Sequence, residues 1–187
     1  AAAKDNMAQV IARRYADENA KVVVAGRKEE TLKEFADEIN ASYALCDITK
    51  KDDIESLSKF AVDTYGKVDI AINCAGWGLL EKLQKTTEEQ LNAVTALHLN
   101  GSFFFLQVFA GQMSETGGGS IVLTSSASVY CTLYHHAAYI GTKAGADAVM
   151  RCFANEFGSK GVKINAIAPG LTSTPMTENE INTPGLL

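Results

Sequence analysis

Tyr139 and Lys143 are four positions apart in the stretch AYIGTKAGADAV, residues 138–149. Residues at this spacing lie above one another on one face of a helix, so a phenol and an ammonium can meet there. A tyrosine ordinarily titrates near pH ~10, and a neighbouring ammonium lowers that pKa because it favours the phenolate. Such a pair could exchange a proton with a substrate at neutral pH. An amphipathic helix with one exposed tyrosine and one exposed lysine shows the same spacing, so the pair alone is a weak motif.

The bulk composition predicts one soluble domain. The chain has 187 residues, of which 47% are hydrophobic, and a formal net charge of -5. No uninterrupted apolar run approaches the roughly 18 residues of a membrane span, and no signal peptide is visible. Mild acidity without a basic stripe argues against a nucleic-acid partner. The four cysteines are widely spaced and form no C-x-x-C, which favours reduced thiols in a cytoplasmic protein over disulfides or a metal site.

Short β-branched runs alternate with amphipathic stretches along the chain. Buried strands are predicted at 21–26, 42–47, 68–76, 119–126 and 162–170. Helices are predicted at 7–19, 29–39, 51–65, 87–113 and 137–159. Repeated strand–helix–strand units predict a doubly wound parallel sheet of the Rossmann type, an α/β fold with three layers, α/β/α.

The two ends of the chain do not complete this pattern. The first 20 residues predict a turn and a helix with no strand before them. In such a sheet the strand ahead of the first helix is central, and without it a neighbouring edge is unpaired. We therefore expect residues 1–187 to form a single domain that lacks its first strand and a C-terminal part.

Small and polar residues collect at the carboxyl ends of the predicted strands, where open parallel sheets bind their ligands. These ends are Gly26-Arg27, Cys46-Asp47, Asn73–Gly76, Ser125-Ser126 and Pro169-Gly170. Turn formation explains any one of these strand ends, but all five together predict a ligand-binding crevice lined by small and polar residues.

In this order and spacing, the motifs resemble those of the short-chain dehydrogenase/reductase family over nearly the whole chain. Tyr139-x-x-x-Lys143 matches the catalytic pair of the family, and Ser126, thirteen residues before Tyr139, matches the third member. NCAG at 73–76 matches the N-N-A-G element, and PGLTST at 169–174 matches P-G-x-x-x-T. The resemblance implies cofactor contacts from Asp47, Asn73, Ala75, Gly76, Tyr139, Lys143, Pro169, Gly170, Thr172 and Thr174.

The resemblance implies an oxidoreductase that moves a hydride between a nicotinamide cofactor and a small carbonyl or secondary alcohol substrate. Tyr139 is then the general acid or base, and Lys143 tunes it and holds the nicotinamide ribose. Ser126 donates a hydrogen bond to the substrate oxygen, where negative charge develops. Two alternatives stay open: a nucleotide-binding protein with little catalysis, and an enoyl reductase. The enoyl-reductase branch places six residues between its tyrosine and lysine, whereas this chain has three.

The choice of cofactor depends on Gly26-Arg27. Folds that prefer NAD usually place a carboxylate at the end of the second strand, and a nearby arginine accommodates the 2′-phosphate of NADP instead. This chain has glycine at the carboxylate position and arginine next to it. The pattern favours NADP over NAD, although a solvated arginine at the start of a helix has the same sequence.

Two segments depart from the family pattern. Asn6-Met7-Ala8 aligns with the end of the glycine-rich loop, usually G-I-G. Asn6 can cap the next helix, whose N-terminus attracts phosphate, but Ala8 adds a methyl group there. The second segment is LHLNGSFFF, residues 97–105. When Gly101 is aligned with the glycine of the family's N-L-x-G element, His98 takes the place of an asparagine that contacts the catalytic lysine through water. His98 is then either a proton relay or a packed helix residue.

The expected substrate pocket is apolar and aromatic, lined by residues 76–80, 129–136 and the segment after Thr174. Such segments vary most within a fold, so the substrate itself is not predicted.

Both long predicted helices, 87–113 and 137–159, carry apolar residues on more than one face. A helix buries one stripe of apolar residues against a sheet, so the apolar residues outside that stripe predict a further contact surface. The usual oligomer of the family pairs these two helices across a two-fold axis. We therefore expect a dimer or tetramer with Phe153 or Phe157 near the axis.

Overall fold

The structure is a computed structural model, and it describes residues 6–175 and Thr177. The strands are β1 (Val23–Gly26), β2 (Ser42–Leu45), β3 (Ile70–Asn73), β4 (Gly119–Thr124) and β5 (Val162–Ile167). The helices are α1 (Met7–Asp17), α2 (Glu29–Glu38), α3 (Lys51–Tyr65), α4 (Glu88–Thr95), α5 (Gly101–Glu115) and α6 (Ala137–Phe157). Each predicted strand and helix has a counterpart. β1 ends at Gly26 as predicted, whereas β2, β3, β4 and β5 end earlier than predicted because the last residues of those stretches leave the sheet as loops.

The predicted helix at 87–113 is interrupted by a π-turn at Ala96–Asn100, between α4 and α5. There the N–H of Gly101 donates to the carbonyl of Ala96, five residues earlier instead of four. The prediction of one regular helix was therefore wrong at this point. Single π-turns inside helices are frequent at functional sites.

All strand pairs are parallel, as the alternation of strands and helices predicted. Among the described residues the strands form two sheets, β1-β2 and β3-β4-β5, rather than one continuous sheet. Within the described residues, β1 and β3 each have one edge without a strand partner. The expected central strand ahead of α1 would precede residue 6 and so lies outside the described residues. A cavity of about 470 Å³ lies between α1 and the second sheet, lined mainly by Val10, Ile11, Ile72, Val122 and Ile167.

The main core lies between the β3-β4-β5 sheet and the helices α3, α5 and α6. Its fully buried side chains include Ile54, Leu106, Met113, Ile121 and Val162. Burial of each of these side chains contributes about 1.5–3 kcal/mol to folding. A smaller cluster of Val24, Leu32, Phe35 and Ala36 joins α2 to β1.

The helical stretch Glu88–Glu115 is long and apolar enough to cross a membrane, by length and composition. Within it, Leu106, Ala110 and Met113 are buried in the main core. A helix that covers a parallel sheet needs such an apolar face. We therefore assign this stretch to the core of the domain.

Close packing around the π-turn depends on two glycines. A Cβ at Gly101 would lie 2.9 Å from the carbonyl oxygen of Ile48, so α5 begins directly against the loop after β2. A Cβ at Gly145 would lie 3.2 Å from a methyl group of Leu99 in the π-turn. The small residues after Lys143 therefore let α6 approach the π-turn closely.

Candidate active site

The carboxyl ends of β3, β4 and β5 lie side by side, because Asn73 pairs with Leu123 and Thr124 pairs with Ile167. Beyond the strands, the N–H of Ser125 donates to the carbonyl of Ile167 at 2.8 Å. This edge therefore brings the predicted polar ends 73–76, 125–126 and 169–170 together.

Lys143 is buried on α6, and its side chain reaches the end of β4. Its Nζ donates to the carbonyl oxygen of Thr124 at 2.7 Å and lies 6.0 Å from the centre of the Tyr139 ring. Burial lowers the pKa of Lys143 to about 8, although the nearby Asp147 and Cys74 raise it. The ammonium is thus close to the tyrosine ring and sparsely solvated, so its charge acts on the phenol with little screening.

Tyr139 is half-buried near the start of α6, between two imidazole rings. The edge of the His98 ring meets it with 5.3 Å between ring centres, and His136 lies at 6.4 Å. These contacts orient the phenol ring beside the Lys143 ammonium. The helical spacing therefore brings the Tyr139 ring within 6.0 Å of the Lys143 ammonium.

Ser126 caps a short 3-10 turn, Ala127–Tyr130, directly after β4. Its Oγ accepts the N–H of Ser128 at 3.3 Å and shares a 2.8 Å hydrogen bond with the Ser128 hydroxyl. When Ser128 donates in that bond, the proton of Ser126 is available for a substrate oxygen. Ser128 is buried, and its spacing in the sequence gave no signal for this contact.

The π-turn places His98, and not the exposed Asn100, in the interior beside Lys143. The N–H of Trp77 donates to His98 Nε2 at 3.1 Å, so the proton of the neutral ring is on Nδ1. His98 Nδ1 then donates to Thr142 Oγ1 at 3.0 Å. The hydroxyl of Thr142 in turn donates one hydrogen bond shared between the carbonyl oxygens of Ala138 and Tyr139.

Both ring nitrogens of His98 are therefore engaged by protein groups. Burial, with the Lys143 charge as the second cause, lowers the pKa of His98 to about 3. The ring stays neutral at physiological pH, and it joins the loop after β3 to the second turn of α6. This geometry fits a packed structural histidine better than a proton relay.

The loop after β3 is held by Asn73 and kept open by Gly76. Asn73 Oδ1 accepts the N–H of Ala75 at 2.9 Å, and its Nδ2 donates to Ser102 Oγ at 3.5 Å. A Cβ at Gly76 would lie 3.6 Å from Lys143 Nζ. Glycine therefore leaves space in front of the ammonium. Burial raises the pKa of the neighbouring Cys74 thiol, which keeps it protonated.

Arg27 and Asp47 follow the neighbouring ends of β1 and β2. Arg27 is exposed, whereas Asp47 is half-buried and accepts both the N–H and the hydroxyl of Thr49. Burial by itself would raise the pKa of Asp47, but the Thr49 hydrogen bonds and the charges of Arg27 and Lys50 lower it overall. The pair thus presents one exposed cation and one fixed carboxylate.

The remaining predicted cofactor contacts lie at the two ends of the described chain. Asn6 caps α1 as expected, because its side chain accepts the N–H of Gln9 at 3.0 Å. In the loop after β5, the carbonyl of Pro169 accepts the N–H of Ala127 at 2.9 Å. Thr172 bonds Gly170 in the same loop, and the side chain of Thr174 shares a hydrogen bond with that of Thr177.

A cavity of about 560 Å³ opens beside the start of α6, lined by Val129, Tyr130, Cys131, Thr132 and Ile140. The carbonyl of His135 accepts the N–H of Glu81 at 2.9 Å, which joins the loops that were expected to line the pocket. The third expected wall, after Thr174, lies almost wholly outside the described residues.

Comparisons with known proteins identify the family of this chain. A family model for short chain dehydrogenases matches residues 2–184. An uncharacterized oxidoreductase of Staphylococcus epidermidis is 30% identical over 178 residues, which cover 94% of this chain and 77% of that protein. The NAD-dependent glycerol dehydrogenase of Listeria innocua is 34% identical over 177 residues, covering 93% of this chain and 69% of the relative.

A solved structure of a short chain dehydrogenase from Mycobacterium smegmatis superimposes with a TM-score of 0.88 at 27% identity. The match covers 92% of this chain and 75% of that one. The fold, the order of the motifs and the family model lead to the same conclusion. The chain belongs to the short-chain dehydrogenase/reductase family and is an oxidoreductase of the α/β Rossmann type.

Proposed function

We propose that this protein transfers a hydride between NADP(H) and a carbonyl or secondary alcohol, with Tyr139 as the general acid or base. The observation that carries the proposal is the buried Lys143 ammonium 6.0 Å from the Tyr139 ring. Lys143 favours the phenolate, so Tyr139 can give its proton to a carbonyl oxygen or take one from an alcohol near neutral pH.

The residues in front of Lys143 fit a nicotinamide cofactor. The space that a Cβ at Gly76 would fill is open, and an ammonium has three hydrogens, of which Thr124 takes one. Lys143 can therefore donate to ribose hydroxyls as well. Such a cofactor supplies the hydride, while the protein fixes its distance from the substrate carbon. Ser126 would hold the substrate oxygen beside Tyr139.

NADP is the proposed cofactor because Arg27 is an exposed cation at the end of β1, with no carboxylate at the preceding Gly26. A guanidinium binds a phosphate through charge-assisted hydrogen bonds. The relative from Listeria innocua is named as NAD-dependent, so NAD is the alternative. Asp47, also an expected cofactor contact, already accepts two hydrogen bonds from Thr49 through its Oδ1.

The function is tested by following NADPH consumption with a panel of ketones and a panel of enoyl thioesters. We expect turnover with ketones alone, because the three-residue spacing of Tyr139 and Lys143 is that of the carbonyl-reducing branch. Turnover with enoyl thioesters would identify an enoyl reductase. NADPH binding without turnover in either panel would identify a nucleotide-binding protein.

An aromatic cluster on α5 and α6 supports the proposal of a homo-oligomer. Phe103 is 39% exposed and meets Phe153 edge-on at 5.3 Å, and Phe153 stacks on Phe157 at 5.9 Å. Val108, Val149, Phe153 and Phe157 are only partly buried against the main core, so part of their apolar surface is available to a second copy of the chain.

We expect light scattering of the protein at micromolar concentration to give the mass of a dimer or tetramer. Phe153→Glu should shift the mass toward the monomer, because a charge in a desolvated apolar contact is costly. Leu83→Glu is the matched control, since Leu83 is 64% exposed and lies outside both helices. A monomeric parent protein would contradict the proposal.

A further inference from the structure

Asp147 is a carboxylic acid that is only 4% exposed, one helical turn after Lys143 on α6. Burial of a charged group costs several kcal/mol unless partners compensate for it. The roles assigned above to Tyr139, Lys143 and Ser126 do not use this residue. A buried acid at this place therefore requires a reason of its own.

The first partner of Asp147 is at the end of β4. The hydroxyl of Ser125 donates to Asp147 Oδ2 at 2.7 Å, a short bond of the charge-assisted kind. Ser125 lies between Thr124, whose carbonyl accepts from Lys143, and Ser126. The carboxylate thus fixes the segment that contacts the lysine on one side and carries the proposed substrate-binding hydroxyl on the other.

Asp147 also acts on Lys143, one helical turn earlier on α6, because its nearby carboxyl raises the lysine pKa against the lowering by burial. Four ionisable groups face this ammonium: Asp147 and Tyr139 from α6, Cys74 from the loop after β3, and His98 from the π-turn. His98 is neutral because burial lowers its pKa to about 3, and Cys74 is neutral because burial raises its thiol pKa. Of the two groups that raise the pKa of Lys143, Asp147 therefore contributes more than Cys74, whose thiol burial keeps protonated.

We propose that Asp147 is a positioning residue whose carboxylate keeps Lys143 in its charged form and fixes the end of β4 through Ser125. The proposal rests on the proposed function of Tyr139 and Lys143, which it deepens. A neutral lysine no longer favours the phenolate of Tyr139. Loss of the Asp147 charge should therefore impair proton transfer without any contact between Asp147 and the substrate.

Two variants separate the charge of Asp147 from its hydrogen bond. Asp147→Asn removes the charge and keeps an acceptor oxygen, whereas Ser125→Ala removes the hydroxyl donor and keeps the charge. The measured quantity is the pKa of Lys143 in the full chain, from the pH dependence of its carbon-13 Cε NMR signal. Lys143→Arg identifies that signal by its disappearance.

We expect Asp147→Asn to lower the pKa of Lys143 by about one unit or more, as for loss of a nearby opposite charge. Ser125→Ala should leave it within a few tenths of a unit. The expected change in the pKa of Lys143 is therefore specific to Asp147→Asn. An unchanged Lys143 pKa in that variant overturns the proposal.

A second measurement needs no variant of Asp147. The carboxyl carbon of Asp147 in the parent protein should show an ionised group throughout the pH range in which Lys143 titrates. A carboxyl that is still protonated at neutral pH overturns the proposal even if Asp147→Asn does not fold. The titrations need no turnover, so their outcome is distinguishable from a failure of the proposed reaction.

Discussion

Tyr139→Phe is expected to lower kcat by roughly 10²- to 10⁴-fold, the contribution of a well-placed general acid or base. The phenyl ring keeps its edge contact with His98 and its place beside Lys143, so the fold and the cofactor pocket should persist. Only the hydroxyl that transfers the proton is lost. The measurement is kcat for ketone reduction, together with the dissociation constant of NADPH by fluorescence.

Tyr65→Phe is the matched control, because the hydroxyl of Tyr65 contacts Ser42 at the amino end of β2, away from the carboxyl ends of the strands. It should retain kcat close to that of the parent protein. The assignment of Tyr139 would be wrong if its phenylalanine variant kept more than about a tenth of the parent kcat. A large loss of NADPH affinity in Tyr139→Phe would instead show that the hydroxyl serves binding.

Arg27→Ala is expected to weaken NADPH binding by roughly 10- to 100-fold and to change NADH binding little. A hydrogen bond to a charged group contributes about 1.5–3 kcal/mol, and each 1.4 kcal/mol is about tenfold in Kd. The 2′-phosphate that Arg27 would contact is present only in NADPH. The two dissociation constants are measured side by side, in the parent protein and in the variant.

Arg14→Ala provides the control for the loss of one positive charge. Arg14 is exposed on α1 and pairs with Glu18, an arrangement that contributes little to stability. Its replacement should change the binding of both cofactors slightly and equally. If Arg27→Ala also changed both constants equally, Arg27 would be a solvated surface residue and NAD would become the favoured cofactor.

The sequence predicted the strands and helices because each is marked locally. Buried parallel strands are short β-branched runs that end in turn residues, and both Tyr139 and Lys143 lie on one regular helix. The family motifs then identified the ends of the strands where the site is found. The catalytic and cofactor roles of these residues stay predictions until the variants are measured.

Other parts of the site depend on contacts between distant segments, which a local pattern does not record. Asp147 and Ser125 are 22 residues apart, and His98 and Thr142 are 44 apart. The sequence did place Asp147 one turn after Lys143, and that spacing was the available signal. No sequence signal marked the π-turn. Because α5 carries apolar residues on all its faces, the apolar pattern does not change where the helix gains an extra residue.

Because of the π-turn at Ala96–Asn100, the number of residues between α4 and α5 cannot change without rotating one helix relative to the other. Deletion of one residue there would let α4 run straight into α5, and each α-helical residue corresponds to a rotation of about 100°. Either Val94 would leave the core or His98 would turn away from Trp77 and Thr142. Homologues aligned across this segment should therefore differ by substitution far more readily than by single-residue gaps.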